Sequence, residues 1–246
     1  MSRIALITGA SVGIGAATAR VLDDLGFSLI LMARRREKLE TLASELNNKV
    51  TILECDVNDH EQVVDVVKAI PKVDVLINNA GLALGLESAD STNWAHWETM
   101  IQTNCTSLAF LTRQVLPGMV ERNCGHIINM GSIAGTYAYK GGNVYGASKA
   151  FVEQFSLGLR ADLLGTAIKV TNMEPGLISG TEFSSVRFEG DANKVDATYQ
   201  DCQPMLPEDI ADTIGWLVQQ PAHVNVNRIE MMPVCQAPNG LAVHKN

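Results

Sequence analysis

Tyr145 and Lys149 lie four residues apart in VYGASKA (144–150), a run of mostly small residues. At 3.6 residues per turn, that spacing puts a phenol and an ammonium on one helix face. A phenol titrates near 10 in water, and a neighbouring positive charge would bring it toward the range of a working acid or base. Ser132, at the end of the apolar run GHIINMGS, could donate to a substrate oxygen. Tyr145 could then give that oxygen a proton or take one away, while Lys149 holds the phenol acidic and bonds a ribose. Asn104, in MIQTNCTSLAF, is a fourth candidate, because asparagine has poor helix propensity and is often retained inside a helix for a polar task. This set suits hydride transfer to or from a nicotinamide, where the protein orients the reactants and moves one proton.

A Tyr-x-x-x-Lys pair alone is a weak motif, so a nucleotide site must be found independently. The first apolar run leads into TGASVGIG (8–15) and then a helical stretch. Gly9, Gly13 and Gly15 allow a sharp turn, close approach to a pyrophosphate and tight helix packing, with Ser11 and Ile14 in the same turn. The second run ends in Ala33-Arg34-Arg35-Arg36, without the acid that an NAD ribose requires. Guanidiniums there suit a 2′-phosphate, so NADP(H) is the expected cofactor, with Arg34 and Arg35 ahead of Arg36. Asp56 and Val57, and the turn Asn78-Asn79-Ala80-Gly81, fall where adenine and the middle of a dinucleotide would lie. Asp56 could accept from the adenine amine or cap the next helix.

These groups need a scaffold that brings distant strand ends together. Seven short apolar runs supply it: 3–8, 28–33, 49–55, 73–78, 125–131, 168–174 and 228–234, alternating with helix-length amphipathic segments. That alternation predicts an α/β fold with a parallel sheet covered on both faces, in one domain over residues 1–246. Ligands of such sheets bind beyond the carboxyl ends of the strands, where strand order reverses. Residues 177–205 break the rhythm and read as an irregular substrate lid.

Bulk properties narrow the partners. The net charge of −8 argues against nucleic acid or an anionic membrane surface. No apolar run approaches the length of a membrane span. The five cysteines, odd in number and without a C-x-x-C pair, read as thiols in a reducing cytoplasm. His96, His126 and the Trp94/Trp97 pair lack a companion set of ligands, so no metal is expected.

Taken together, Thr8-Gly9-x-x-x-Gly13-x-Gly15, Asn78-Asn79-Ala80-Gly81, Asn104, Ser132, Tyr145-x-x-x-Lys149 and Pro175-Gly176 resemble the short-chain dehydrogenase/reductase superfamily over nearly the whole chain. NNAGLALGLE, VLPGMVERNCGHIINMGS, GGNVYGASKAF and EPGLISGTEFSSVRFEGD further resemble its NADP-dependent 3-hydroxy acid dehydrogenases. The resemblance implies a single-domain, doubly wound Rossmann-type fold and a homotetramer. It also implies a tetrad of Asn104, Ser132, Tyr145 and Lys149, with Asn104 holding a water in a proton relay through Lys149. The usual P-G-x-[VI]-x-T is longer here by one residue, making Thr181 the candidate for the nicotinamide carboxamide and Ile178 a backbone partner beside Pro175 and Gly176. Substrates implied are L-serine, L-allo-threonine, 3-hydroxypropionate and malonic semialdehyde. Such acids need a cation for their carboxylate, and Arg187 offers a planar fork for two oxygens; its alternative is a surface pair with Glu189 or Asp191. A 3-oxoacyl reductase of the same superfamily would need a basic docking face, which this acidic chain does not advertise.

Overall fold

Each of the seven apolar runs forms a strand. The computed structural model describes residues 2–70 and 72–238, with β1 (Ile4–Thr8), β2 (Ser28–Ala33), β3 (Val50–Glu54), β4 (Val75–Asn78), β5 (Gly125–Met130), β6 (Ile168–Pro175) and β7 (Arg228–Met231). They form a parallel sheet in the order β3-β2-β1-β4-β5-β6-β7. This is the doubly wound, seven-stranded Rossmann-type sheet, and its order reverses between β1 and β4.

The apolar runs are continuous because both faces are buried. Ala5, Ile7, Leu29, Leu31 and Ile77 pack with α1 (Gly13–Asp24), α2 (Arg36–Glu45) and α9 (Pro207–Val218). Leu6, Ile30, Leu76 and Ile127, one step along each strand, face α3 (His60–Ala69), α5 (Leu108–Glu121) and α6 (Asn143–Asp162). Each such fully buried side chain contributes roughly 1.5–3 kcal/mol relative to exposure. The chain thus fixes both helix layers against one rigid sheet.

Two expectations change. The segment 177–205 is not irregular, since it carries α7 (Phe183–Arg187) and α8 (Ala192–Tyr199) between turns. Its breaker residues sit between the two helices: Glu189 and Gly190 take positive φ angles of 51° and 85°. The cysteines are not all thiols either, because Cys202 and Cys235 are disulfide-bonded with their Cα atoms 6.0 Å apart. Sequence spacing conceals this pair because the return from α8 and the arm after β7 run side by side only in the folded chain.

Candidate active site

At the switch point, the carboxyl ends of β1 and β4 are laced together by Thr8. Its hydroxyl donates to Ile77 O (3.3 Å) and accepts from the N–H groups of Asn79 (3.0 Å) and Ala80 (2.9 Å). Over this seam opens a cavity of about 750 Å³, large enough for a dinucleotide and a small substrate. Gly9, Ser11, Gly13 and Ile14 form one part of its wall. Gly9 and Gly13 take φ of +62° and +56°, which side-chain-bearing residues rarely adopt.

The helix that follows is open to an anion. Val12 precedes α1 without any side-chain cap, and the first turn holds no acid, so backbone N–H groups and the positive end of the dipole face the cavity. By contrast α3 is capped by Asp59, whose carboxylate accepts from Gln62 N at 3.0 Å. Asp56 is therefore not the cap of that helix. It turns the chain by accepting from Asn58 N (2.9 Å), and it lines the cavity with Val57.

The arginines at the end of β2 take three different partners. Arg34 is exposed, with Asp56 3.9 Å away, whereas Arg36 turns to Glu40 and leaves the site. Arg35 holds Glu182 in a forked pair at 2.9 and 2.7 Å, and Lys38 reaches the same carboxylate at 2.7 Å. These bonds pull the Glu182 carboxyl down to about 2. An uncapped helix end, a glycine cradle and cations clustered at the adenosine-ribose end fit NADP(H), including its 2′-phosphate.

Ser132, Tyr145 and Lys149, the candidates for the reaction, all line the cavity. Ser132 follows β5, where its hydroxyl accepts from Ala134 N (3.1 Å) and approaches Pro175 O (3.4 Å). Tyr145 and Lys149 are both buried on α6. Lys149 is not hydrogen-bonded to the phenol hydroxyl. Its ammonium donates to Met130 O at 2.7 Å and stands 5.8 Å from the Tyr145 ring centre. Burial therefore dominates both groups: it pushes Tyr145 up to about 12, against the pull of the Ser132 hydroxyl, and Lys149 down to about 8. The expected lowering of the phenol by lysine is absent from this arrangement.

The sequence model of the family described as short chain dehydrogenase matches residues 3–192. The chain belongs to the short-chain dehydrogenase family. It is 52% identical over 247 residues to the NADP-dependent 3-hydroxy acid dehydrogenase YdfG of Salmonella typhi, spanning 99% of this chain and 100% of that protein. Sulfoacetaldehyde reductase 2 of Chromohalobacter salexigens is 47% identical, over 100% of both chains. A solved structure described as the closed form of serine dehydrogenase complexed with NADP⁺ superposes with a TM-score of 0.97, at 50% identity, covering 99% of this chain and 100% of that one. This short-chain dehydrogenase is accordingly an NADP-dependent oxidoreductase acting on hydroxyl groups.

Three expected site residues of this short-chain dehydrogenase lie behind the cavity wall. Asn78 is buried among Thr112 (2.9 Å) and Asn129 (2.8 Å), and it is Asn79 that turns outward, donating to Thr8 O and Gly9 O. Successive residues at a strand end point to opposite faces, so the adjacent asparagines exchange roles. Gly15 serves packing, since a Cβ there would collide with Gly9 O and lie 2.8 Å from Asn79 Nδ2. Asn104 sits in a π-helical turn, Gln102–Ser107, and its amide bonds Leu82 N (3.0 Å), Leu82 O (2.8 Å) and Ser148 Oγ (3.0 Å).

The remaining candidates of this short-chain dehydrogenase, Ala80, Gly81, Pro175, Gly176, Ile178 and Thr181, all line the cavity. Thr181 packs against Gly13 so closely that its Cγ2 would lie 3.1 Å from a Cβ there. Arg187 lines it too and does not pair with Glu189 or Asp191. It donates to Gly85 O (3.1 Å) and Tyr139 OH (2.8 Å), with its guanidinium carbon 5.7 Å from the Tyr145 ring centre. Lys38, Tyr139, Glu182 and Tyr199 were not singled out from sequence. Their partners lie far along the chain, and only the arginine run near Lys38 hinted at an anion site.

Proposed function

We propose that this oxidoreductase interconverts short 3-hydroxy acids and 3-oxo acids, with L-serine, L-allo-threonine and 3-hydroxypropionate on one side and malonic semialdehyde on the other. The observation that carries the reading is Arg187, whose guanidinium stands over the Tyr145 ring inside the same cavity. A hydroxy acid whose carboxylate is two carbons from its carbinol carbon can engage both groups at once. The likeness to the Salmonella 3-hydroxy acid dehydrogenase and to serine dehydrogenase supports the same substrate class.

In the proposed mechanism Ser132 and Tyr145 hold the reacting oxygen, and the nicotinamide supplies or accepts the hydride. The buried phenol, at about 12, is protonated at neutral pH and suited to donate its proton to the alkoxide formed during reduction. Oxidation needs the phenolate, so it should gain with rising pH. Lys149 orients the ribose of the cofactor, and Asn104 positions Lys149 and its water relay through the π-helical turn. The adenosine end is held by Arg34 and Arg35, the pyrophosphate by the turn from Gly9 to Gly15, and the carboxamide by Ile178 and Thr181. Residues 177–205 act as the substrate lid, already drawn down here by the bonds of Arg187 to the Gly85 loop. Gly85 N also donates to Arg187 O at 2.9 Å.

The same reading carries a homotetramer in the cytoplasm. Ile101 on α4 (Trp94–Ile101) and Phe151 and Leu157 on α6 are exposed apolar residues on the helices expected to pair between subunits. Light scattering coupled to gel filtration should give four times the 26.5 kDa chain mass. No described helix is long and apolar enough to cross a membrane.

The assay is NADP⁺ reduction with the three hydroxy acids and a matched alcohol lacking the carboxylate, with NAD⁺ in parallel. Turnover of the acids with NADP⁺ supports the reading, and turnover of the uncharged alcohol alone rejects the substrate class. Arg187→Met should raise KM for the acids about tenfold or more, as expected for loss of a charge-assisted bond, while leaving uncharged ketones little changed. Equal loss for both would remove Arg187 from substrate binding. The 47% identity to sulfoacetaldehyde reductase 2 makes a short sulfonated aldehyde the second substrate to test, because the Arg187 fork fits either anion.

A further inference from the structure

The chain from Gly176 to Ile178 lines the cavity as its floor, and two separate segments hold it. On one side Met205 brackets it, with its N–H donating to Leu177 O (3.1 Å) and its carbonyl accepting from Ser179 N (3.0 Å). On the other, Gln236 Oε1 accepts from Leu177 N at 2.8 Å and crosses so near Gly176 that a Cβ there would collide with it. The lid joins the same point, because Tyr199 OH donates to Ile178 O (2.9 Å) and bonds Ser184 Oγ (2.6 Å).

Cys202 lies between α8 and the Met205 bracket, and Cys235 is the neighbour of Gln236. Their disulfide, closing a separation of 33 residues, therefore joins the two holders of the floor to each other and to the end of the lid. Cys235 is exposed and Cys202 half-buried, so both can be reached by a small reagent. Cys55, by contrast, is buried and pushed up to about 11, leaving little thiolate to react.

We infer that Cys202 and Cys235 form a reversible redox-modification site, oxidised by a low-molecular-weight disulfide of the glutathione type, that holds the lid closed and slows cofactor exchange. The Cys235 thiolate attacks one sulfur of the small disulfide, forming a mixed disulfide and releasing one small thiolate. The Cys202 thiolate then attacks the Cys235 sulfur, forming the intramolecular bond and expelling the second small thiolate. Two cysteine thiols lose two protons and two electrons, and the small disulfide becomes two thiols. Two molecules of the small thiol reverse the change. A disulfide within a reducing compartment is usually transient and redox-sensing, which agrees with an exposed pair beside a moving lid. In the reduced state the Met205 and Gln236 brackets separate independently, and the lid can lift without breaking a covalent bond.

The test poises the full chain in buffers of oxidised and reduced glutathione and measures two quantities. Thiols titrated in denaturant should fall from five to three on oxidation, since the chain has five cysteines and the bond consumes two. NADPH release, followed by fluorescence on displacement with excess NADP⁺, should slow about fivefold or more in the oxidised form and recover with reductant. Cys202→Ser and Cys235→Ser should release at the reduced rate at every poise, while Cys124→Ser should still switch. The inference is overturned by a thiol count that stays at five in excess oxidised glutathione, by equal release rates in the two forms, or by slowing that persists in Cys235→Ser. Because the readout is cofactor release, it stands apart from which hydroxy acid is turned over.

Discussion

The two edges of one sheet are built to opposite rules. At the amino edge of the sheet, strands enter on charged or titratable groups that find partners inside the protein, as at β1, β4, β5 and β6. Asp74 accepts from Ile4 N (2.8 Å) and pairs with Lys72 (2.9 Å), Arg3 donates to Val218 O (2.8 Å), His126 bonds Thr171 (2.9 Å) and Lys169 reaches Gln220 O (3.1 Å). At the carboxyl edge the same strands end in Thr8, Arg34, Asn79, Ser132 and Pro175, where α1 is left uncapped, Arg34 exposed and Tyr145 buried beside open space. One edge consumes its polarity for stability, and the other leaves the α1 terminus and Arg34 open to a ligand. Damage at the two edges should therefore separate cleanly into folding and function.

The largest expected effect is at the carboxyl edge. Tyr145→Phe should lower turnover by about 10³-fold, near the middle to upper range for a general acid–base residue. NADPH binding, read by fluorescence titration, and the thermal midpoint should hardly move. A comparable fall in NADPH affinity would mean that the phenol holds the cofactor and does not transfer the proton. The pH profile sharpens the assignment. With the phenol at about 12, kcat/KM for oxidation should climb roughly tenfold per unit from pH 7 toward 9 as the phenolate fraction grows, and the climb should vanish in Tyr145→Phe. Reduction should not share that climb. Next in size, replacing Arg34 and Arg35 together by alanine should weaken NADPH by about 10²-fold while sparing NADH, since each charge-assisted bond contributes roughly 1.5–3 kcal/mol. Equal weakening of both cofactors would show that the arginines act through the Glu182 contact and not on the 2′-phosphate.

At the amino edge the effect should be smaller and of another kind. Asp74→Ala leaves the half-buried Ile4 N–H without its acceptor, and denaturant unfolding should show a loss of about 1–3 kcal/mol. KM and kcat at 25 °C should stay near the parent values, and a selective rise in KM for NADPH would break the proposed division of labour.

What could be read from the chain follows the same contrast. All seven strands were legible, to within about three residues at their ends, because burial on both faces writes an unbroken apolar run, and the glycine turn was legible because backbone geometry and close packing admit few side chains at Gly9, Gly13 and Gly15. Long-range pairings were not. Arg35 and Glu182 are 147 residues apart, and Cys202 and Cys235 are separated by 33. Asn78 was misread by one position because strand alternation decides which asparagine faces out. The π-helical turn at Asn104 adds a residue per turn that propensity does not announce. For Tyr145 and Lys149 the helix face was right, but burial, which spacing does not report, outweighs their mutual influence.

The smallest predicted effect tests the amino edge through pH. His126 is buried against Lys169 and Arg3, and burial first, then those two charges, press its imidazole down to about 3. A folded pKa below the unfolded value of about 6.5 means that the unfolded chain binds the proton more readily. Stability is then fully present above pH 6.5 and is lost as pH falls toward 3, by roughly 2 kcal/mol at pH 5 from this group. Glu174, raised to about 7 by burial, works in the opposite direction, gaining stability as pH falls from 7 toward 4.5. The wild-type curve alone therefore mixes the two, but the difference between wild type and His126→Gln cancels the glutamate. Between pH 7 and pH 5 the change in unfolding free energy should be more favourable in the variant than in wild type by roughly 2 kcal/mol. Equal changes would place the imidazole's proton in contact with water, and the amino edge would no longer be the sealed counterpart of the open one.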